Sequence, residues 1–268
     1  MSHAWSEQMV HLARDLKVQG YEAGTLWFRE HGGVEVVVEP MLDGVSLALH
    51  ARLGRVDLQE GLADLLRANA PSCGGCITAI DPVDDDVVLF RCFDDAALPY
   101  ETLVSEVQRF SQVATQGVPV SSGGGDDVDA PVSLHVGAQS MLRNAFGDFA
   151  HARGLETPAD TNHFLVCMPE GGGISVKIDP ASGQALLISH LGLVPAGDPV
   201  LRQLLEFHML GESTGGAFFA IDEEDLILYR HADVNDLDGF ALDHLLSKLG
   251  GGTVDSAQPL GIEMSRYD

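Results

Sequence analysis

The residues best suited by type and spacing to do chemistry are Gly211-Glu212-Ser213-Thr214-Gly215, a match to the Gly-x-Ser-x-Gly pattern of serine hydrolases. That pattern works on a sharp turn leaving a strand and entering a helix, whose N-terminus supports an oxyanion. Here the order is reversed, with a helix ending near Leu210 and a strand starting at Ala217, so Ser213 reads as part of an ordinary turn. Cys73-Gly74-Gly75-Cys76 is a single C-x-x-C. Zinc would need two more ligands at suitable spacing, and a redox dithiol a strand-to-helix setting. Neither is visible, so Cys73 and Cys76 read as free cysteines. Asp233 to Gly239 resembles a calcium loop, but Leu237 stands where an oxygen ligand is required, Asp238 replaces the turn glycine and His244 the bidentate glutamate. A helix N-cap at Asp238 or Asp236 explains the stretch more simply. The glycines at 123–125 and 171–173 do not lead into a lysine-bearing helix start, so no phosphate cradle is expected. The histidines form no metal-spaced cluster. The expectation is a binding protein with no catalytic residue, metal or cofactor.

The elements carrying these residues occur twice. From Gly74 the chain reads Gly-Gly-Cys-Ile-Thr-Ala-Ile-Asp and from Gly215 Gly-Gly-Ala-Phe-Phe-Ala-Ile-Asp. With two residues closed up in the acidic turn, Asp81 aligns with Asp222, Asp86 with Asp225, Leu89 with Leu228 and Arg91 with Arg230. Upstream, Gly32 to Pro40 echoes Gly172 to Pro180. Leu62, Leu65 and Leu66 recur as Leu201, Leu204 and Leu205, and Leu103, Val107 and Phe110 as Leu242, Leu246 and Leu249. A period of about 140 residues far exceeds the roughly 20–50 of a solenoid, so each copy is expected to be a domain with its own core. Residues 1–115 form the first, 116–131 a flexible linker rich in Gly, Ser and Asp, 132–250 the second, and 251–268 a polar tail.

Within a copy the periodicity predicts helix, three strands, helix, two strands, helix. Met9, Leu12, Ala13 and Leu16 mark the first helix, and Thr25 to Phe28, Val34 to Glu39 and Val45 to His50 the strands. Leu58 to Ala68 is the second helix, an acidic hairpin follows, and Tyr100 to Ala114 closes the unit. Short hairpin links make the sheet mainly antiparallel, so the class is α+β with helices on one face.

The hairpin's second strand, Val87 to Arg91 and Leu226 to Arg230, does not alternate. If the arginines point outward, period-two geometry sends Val87, Leu89, Leu226 and Leu228 outward with them. Burying such side chains contributes roughly 1.5–3 kcal/mol each, so the stripe needs a cover. The other domain, a helix or a partner chain would each serve, and the four residues are the candidate partner-binding site.

Composition narrows the class further. Hydrophobic residues make up 45% of 268, enough for two cores, and the formal net charge of −25 repels phosphate backbones, which argues against nucleic acid. No long apolar run or basic amphipathic helix points to membrane insertion. Residues 1–10 have no apolar signal core, and four cysteines are too few for a disulfide framework, so the expected compartment is the cytoplasm.

The element order and its landmarks resemble the type III secretion chaperone family typified by the Tir chaperone. The landmarks are the Leu-Leu helix ending at Asn69, the Gly-Gly opening the fourth strand, the Ala-Ile-Asp turn into an apolar fifth strand, and the closing helix. The resemblance spans nearly all of Met9 to Ala114 and Met141 to Leu249. It implies a non-catalytic, ATP-independent chaperone that holds the extended N-terminal segment of a secreted effector. It also implies an intramolecular pseudo-dimer in place of a homodimer, with further homo-oligomerisation left open. A regulatory protein-binding module of similar fold is the alternative, and a serine hydrolase is more distant.

Overall fold

The computed structural model describes residues 3–16, 20–22, 25–29, 33–40, 47–55, 58–71, 76–93, 99–116, 133–155, 163–167, 173–179, 183–210 and 217–260. They form two compact units: 1–68 with 75–120, and 69–74 with 121–268.

The first unit runs α1 (His3–Asp15), β1 (Gly20–Glu22), β2 (Thr25–Arg29), β3 (Glu35–Pro40), β4 (Leu47–Gly54), α2 (Leu58–Ala68), β5 (Ile77–Ile80), β6 (Val87–Phe93) and α3 (Tyr100–Gln116). Its antiparallel sheet has the order β1-β2-β3-β4-β6-β5. The second unit runs α4 (Ser133–Arg153), β7 (His163–Cys167), β8 (Gly173–Ile178), β9 (Ala185–Leu193), α5 (Asp198–Leu210), β10 (Phe218–Asp222), β11 (Asp225–Ala232) and α6 (Gly239–Leu260). Its sheet, also antiparallel, has the order β10-β11-β9-β8-β7. The α+β class and the element order are as expected from sequence, with two differences. The first unit has an extra short strand, β1, paired to β2. And α6 runs through Gly250, Gly251 and Gly252 to Leu260, where a polar tail was expected. Glycine weakens a helix by roughly 0.5–1 kcal/mol but its backbone still reaches helical dihedrals, so a glycine run is a weak stop signal.

Register explains which residues became the core. Directly paired residues share a sheet face. Leu26↔Val38, Phe28↔Val36, Val38↔Leu49 and Ala51↔Leu89 therefore line up on one side of the first sheet. Against that side pack Met9 and Leu12 of α1 and Leu103, Val107 and Phe110 of α3, forming a continuous apolar cluster. In the second unit Phe164 of β7 stacks on Phe146 of α4 with ring centroids 3.9 Å apart, so α4 covers the equivalent face.

The acidic hairpin turns are held by local bonds. Asp81 accepts the Val83 N–H at 2.9 Å, and Arg52 reaches Asp81, Asp84 and Asp86 from β4 at 2.8, 2.6 and 3.3 Å. Asp85 (φ 62°) and Glu223 (φ 55°) both take left-handed backbone conformations in these turns.

Asn69 belongs to the second unit, where it enters a buried polar network. The Tyr229 hydroxyl donates to the Asn69 carbonyl at 2.6 Å. The Phe219 N–H donates to His208 Nε2 at 2.9 Å, so the neutral ring carries its hydrogen on Nδ1. That Nδ1 lies 3.3 Å from the Asn69 side-chain amide, whose oxygen must therefore face the ring.

At the start of α3 the Tyr100 hydroxyl donates to Asp15 Oδ2 at 2.6 Å, tying α3 to the end of α1. Burial and the acceptor carboxylate of Asp15 push the Tyr100 phenol up to about 12. An unfolded tyrosine ionises near about 10, so the folded state holds this proton more tightly. Stability from this group is complete below about pH 10 and is lost as pH rises to about 12. Denaturation of wild type and Tyr100→Phe from pH 8 to 12 checks it: the wild-type loss in this window should be smaller in the variant, and parallel curves would contradict the assignment.

Candidate functional site

The candidate partner-binding stripe sits in the core. Val87, Leu89, Leu226 and Leu228 are at most 1% exposed. Their outward orientation, inferred from the arginines, is therefore corrected, and the error lies in that premise. Arg91 pairs across the sheet with Leu49, on the face that α1 and α3 cover, and its guanidinium meets Glu106 of α3 at 2.7 Å. An arginine turned inward to a helix carboxylate leaves Leu89, two residues away, inward too. In the second unit Leu228 pairs with Ser189 and, through Ile174, belongs to the face carrying Phe164. The cover is thus a helix layer of each unit, one of the readings left open by sequence.

The other chemistry-bearing residues divide between buried and structural roles. Ser213 and Cys73 lie outside the described residues. Cys76 is a free, buried thiol in the first unit's core, and burial pushes its ionisation up despite nearby Arg91 and Arg109, which makes it a poor nucleophile. Asp238 Oδ1 accepts the Ala241 N–H at 2.7 Å and is the N-cap of α6. Asp233 Oδ1 instead accepts from the backbone and side chain of Asn235, both at 2.8 Å. Among the described residues no group of three or more His, Cys, Asp or Glu is placed to hold a metal ion. Nor is any described helix long and apolar enough to cross a membrane.

A candidate docking element is the β7 end of the second sheet. β7 is the last strand in the order of the described residues, and its burial alternates. Phe164 points into the core, while Leu165 is 56% exposed and Cys167 is exposed. An edge strand with an apolar outward side chain can accept another extended chain through main-chain hydrogen bonds. The corresponding end of the first sheet is different, because β1 pairs there with β2. Gly20 lies so close to Trp27 that a Cβ would fall 2.0 Å from its ring, which fits the contact to glycine. Sequence reasoning missed this difference because a three-residue strand leaves no periodic signal.

Residues 147–252 match the model of the Tir chaperone protein (CesT) family. No curated protein matches the sequence. Among solved structures, the chain is similar to the Yersinia pestis type III secretion chaperone SycH in complex with a fragment of YscM2. The identity is 22%, the match covers 42% of this chain and 98% of that one, and the TM-score is 0.34. It is also similar to the heterodimeric ExoU-SpcU complex of the Pseudomonas aeruginosa type III secretion system, at 27% identity, 43% and 95% coverage and a TM-score of 0.37.

Removing buried and exposed leucines should give opposite results. Leu89→Ala and Leu228→Ala should each destabilise the chain by about 2–5 kcal/mol in urea unfolding. Leu165→Asp should change stability by less than about 0.5 kcal/mol. A small loss at Leu228 would contradict its place in the core.

Proposed function

We propose, from the match of residues 147–252 to the model of the Tir chaperone protein (CesT) family, that this protein is a type III secretion chaperone. It acts in the cytoplasm without nucleotide and without catalysis. It binds the N-terminal segment of a secreted effector and keeps that segment extended and competent for export. The single observation carrying this reading is the family match, which runs from the end of α4 through the whole five-stranded sheet and α5 into α6. The two tandem units, 1–115 and 132–250 joined by the linker 116–131, are read as a duplication of this one fold.

The chemistry of the second unit suits such a client. An extended chain added along β7 gains main-chain hydrogen bonds, and Leu165 supplies apolar contact beside them. Ordering a disordered segment costs about 2–5 kcal/mol or more, so the client must bury a large area to stay bound. The net charge of −25 draws basic segments in and speeds encounter more than it tightens the final complex.

Co-expression with candidate secreted proteins, co-purification and limited proteolysis test the proposal. The expected result is a stable complex that protects a contiguous N-terminal stretch of roughly 50–100 client residues. Retention of a folded partner only, or of none, would overturn it. Leu165→Asp should keep the fold and reduce client retention.

A further inference from the structure

Among the described residues the second sheet ends at β10 on the side away from β7. An edge strand carries backbone N–H and C=O groups that its one neighbour does not use, and folded proteins cover them. On β10 a side chain provides cover. Phe219 sits opposite Leu228 of β11, yet its N–H donates to His208 Nε2 at 2.9 Å and so points away from β11. His208 lies in the last turn of α5 and is 3% exposed. Its ring stacks on Phe219 at 6.0 Å, with Phe218 edge-on at 5.9 Å.

Both ring nitrogens are committed in the neutral form. Nε2 accepts from Phe219, and Nδ1 with its hydrogen faces the Asn69 side-chain amide at 3.3 Å. Asn69 is held in turn by the Tyr229 hydroxyl, which donates to its carbonyl at 2.6 Å. A proton on Nε2 turns the acceptor into a donor, so the Phe219 N–H would face a second N–H in a buried site. To be solvated the charged ring must swing out, which breaks the Asn69 contact as well.

The ionisable groups on the surrounding elements are few. On α5, Glu206 is paired with Arg202 at 2.7 Å, and ahead of Asn69, Arg67 is paired with Asp64 at 2.7 Å. On β11, His231 stands edge-on to Tyr229 at 5.7 Å and lies 3.4 Å from Asp179. Asp222, at the far end of β10, is exposed. Burial resists a charge on His208, while the C-terminal end of α5 favours a cation in its last turn and brings protonation within reach of mild acid.

We propose that His208 is a pH-sensitive latch on the β10 edge of the second unit, closed on Phe219 and Asn69 when the ring is neutral and released from both when it is protonated. An unfolded histidine takes its proton near about pH 6.5, so the latch is fully closed above that pH and opens as pH falls below it. Release frees the Phe219 N–H for another acceptor. The proposal concerns the protein alone and is independent of the chaperone reading, which neither outcome of its test alters.

Long-range ¹H–¹⁵N spectra of the histidine rings in the full ¹⁵N-labelled chain, recorded from about pH 8 to about pH 5, test it. His208 should show the neutral ring with its hydrogen on Nδ1 at the upper end. As the ring takes its second proton, the Phe219 backbone amide and the Asn69 side-chain amide should shift along the same titration curve. The hydrogen-exchange protection of the Phe219 amide should fall about tenfold between about pH 7 and about pH 5.5. His208→Gln supplies a side-chain acceptor that does not titrate, and it should abolish these pH-dependent changes. A His208 ring with its hydrogen on Nε2 at the upper end, a Phe219 amide indifferent to pH across the range, or the same changes in His208→Gln would each overturn the proposal. The first two readings come from the wild-type protein and hold even if the variant does not fold.

Discussion

Each unit depends on one constraint, the covering of a single sheet face by its helix layer. In the first unit Met9 and Leu12 from α1, and Leu103, Val107 and Phe110 from α3, complete a core begun by β2, β3, β4 and β6. An antiparallel sheet with hairpin links cannot bury that face by itself, so the helices before and after it must both return to the same side. Other local features follow. Arg91 is partnered by Glu106 because its strand faces α3. Tyr100 bonds to Asp15 because the helix ends are brought together. In the second unit Gly239 is a glycine because α6 begins against the backbone of α4.

The same constraint explains what was legible in the sequence. Order and type of element were, because the repeat of Leu62, Leu65 and Leu66 as Leu201, Leu204 and Leu205 and the Ala-Ile-Asp hairpins mark them twice. Orientation within β6 and β11 was not. Val87, Val88 and Leu89 are all buried, as are Leu226, Ile227, Leu228 and Tyr229. A strand buried on both faces loses the alternation from which a face is read. Only the arginine remained as a marker, and an arginine is outward by habit and inward when a helix supplies its carboxylate. Cross-strand register, with Arg91 opposite Leu49 and Leu89 opposite Ala51, carries information that one strand's sequence lacks.

The acidic surface also acquires structure. Several carboxylates already have local work, as with Asp81, Asp84 and Asp86 around Arg52, Asp238 capping α6, and Glu39, held below the usual carboxylate range by its bond to His50. Exposed pairs of this kind contribute little to stability individually, and they fix turns and helix ends more than they hold the fold. The excess charge beyond them supplies a general field that favours basic partners without choosing where they dock. Shape and apolar contact select a position more sharply than such a field does, and the large apolar side chains exposed among the described residues include Leu165 and Phe240.

Both of those side chains lie on the second unit. The first unit spends a strand on β2 and a tyrosine on the corner between α1 and α3. The second has Leu165 on its last described strand and Phe240 exposed at the start of α6. Two units with nearly the same order of helices and strands can differ in this way at little energetic cost, because edges and helix starts contribute less to stability than the sheet face under its helices. Substitution there changes what a unit presents to a partner while leaving its core intact. The family match over 147–252 falls on the unit that carries both of these exposed side chains.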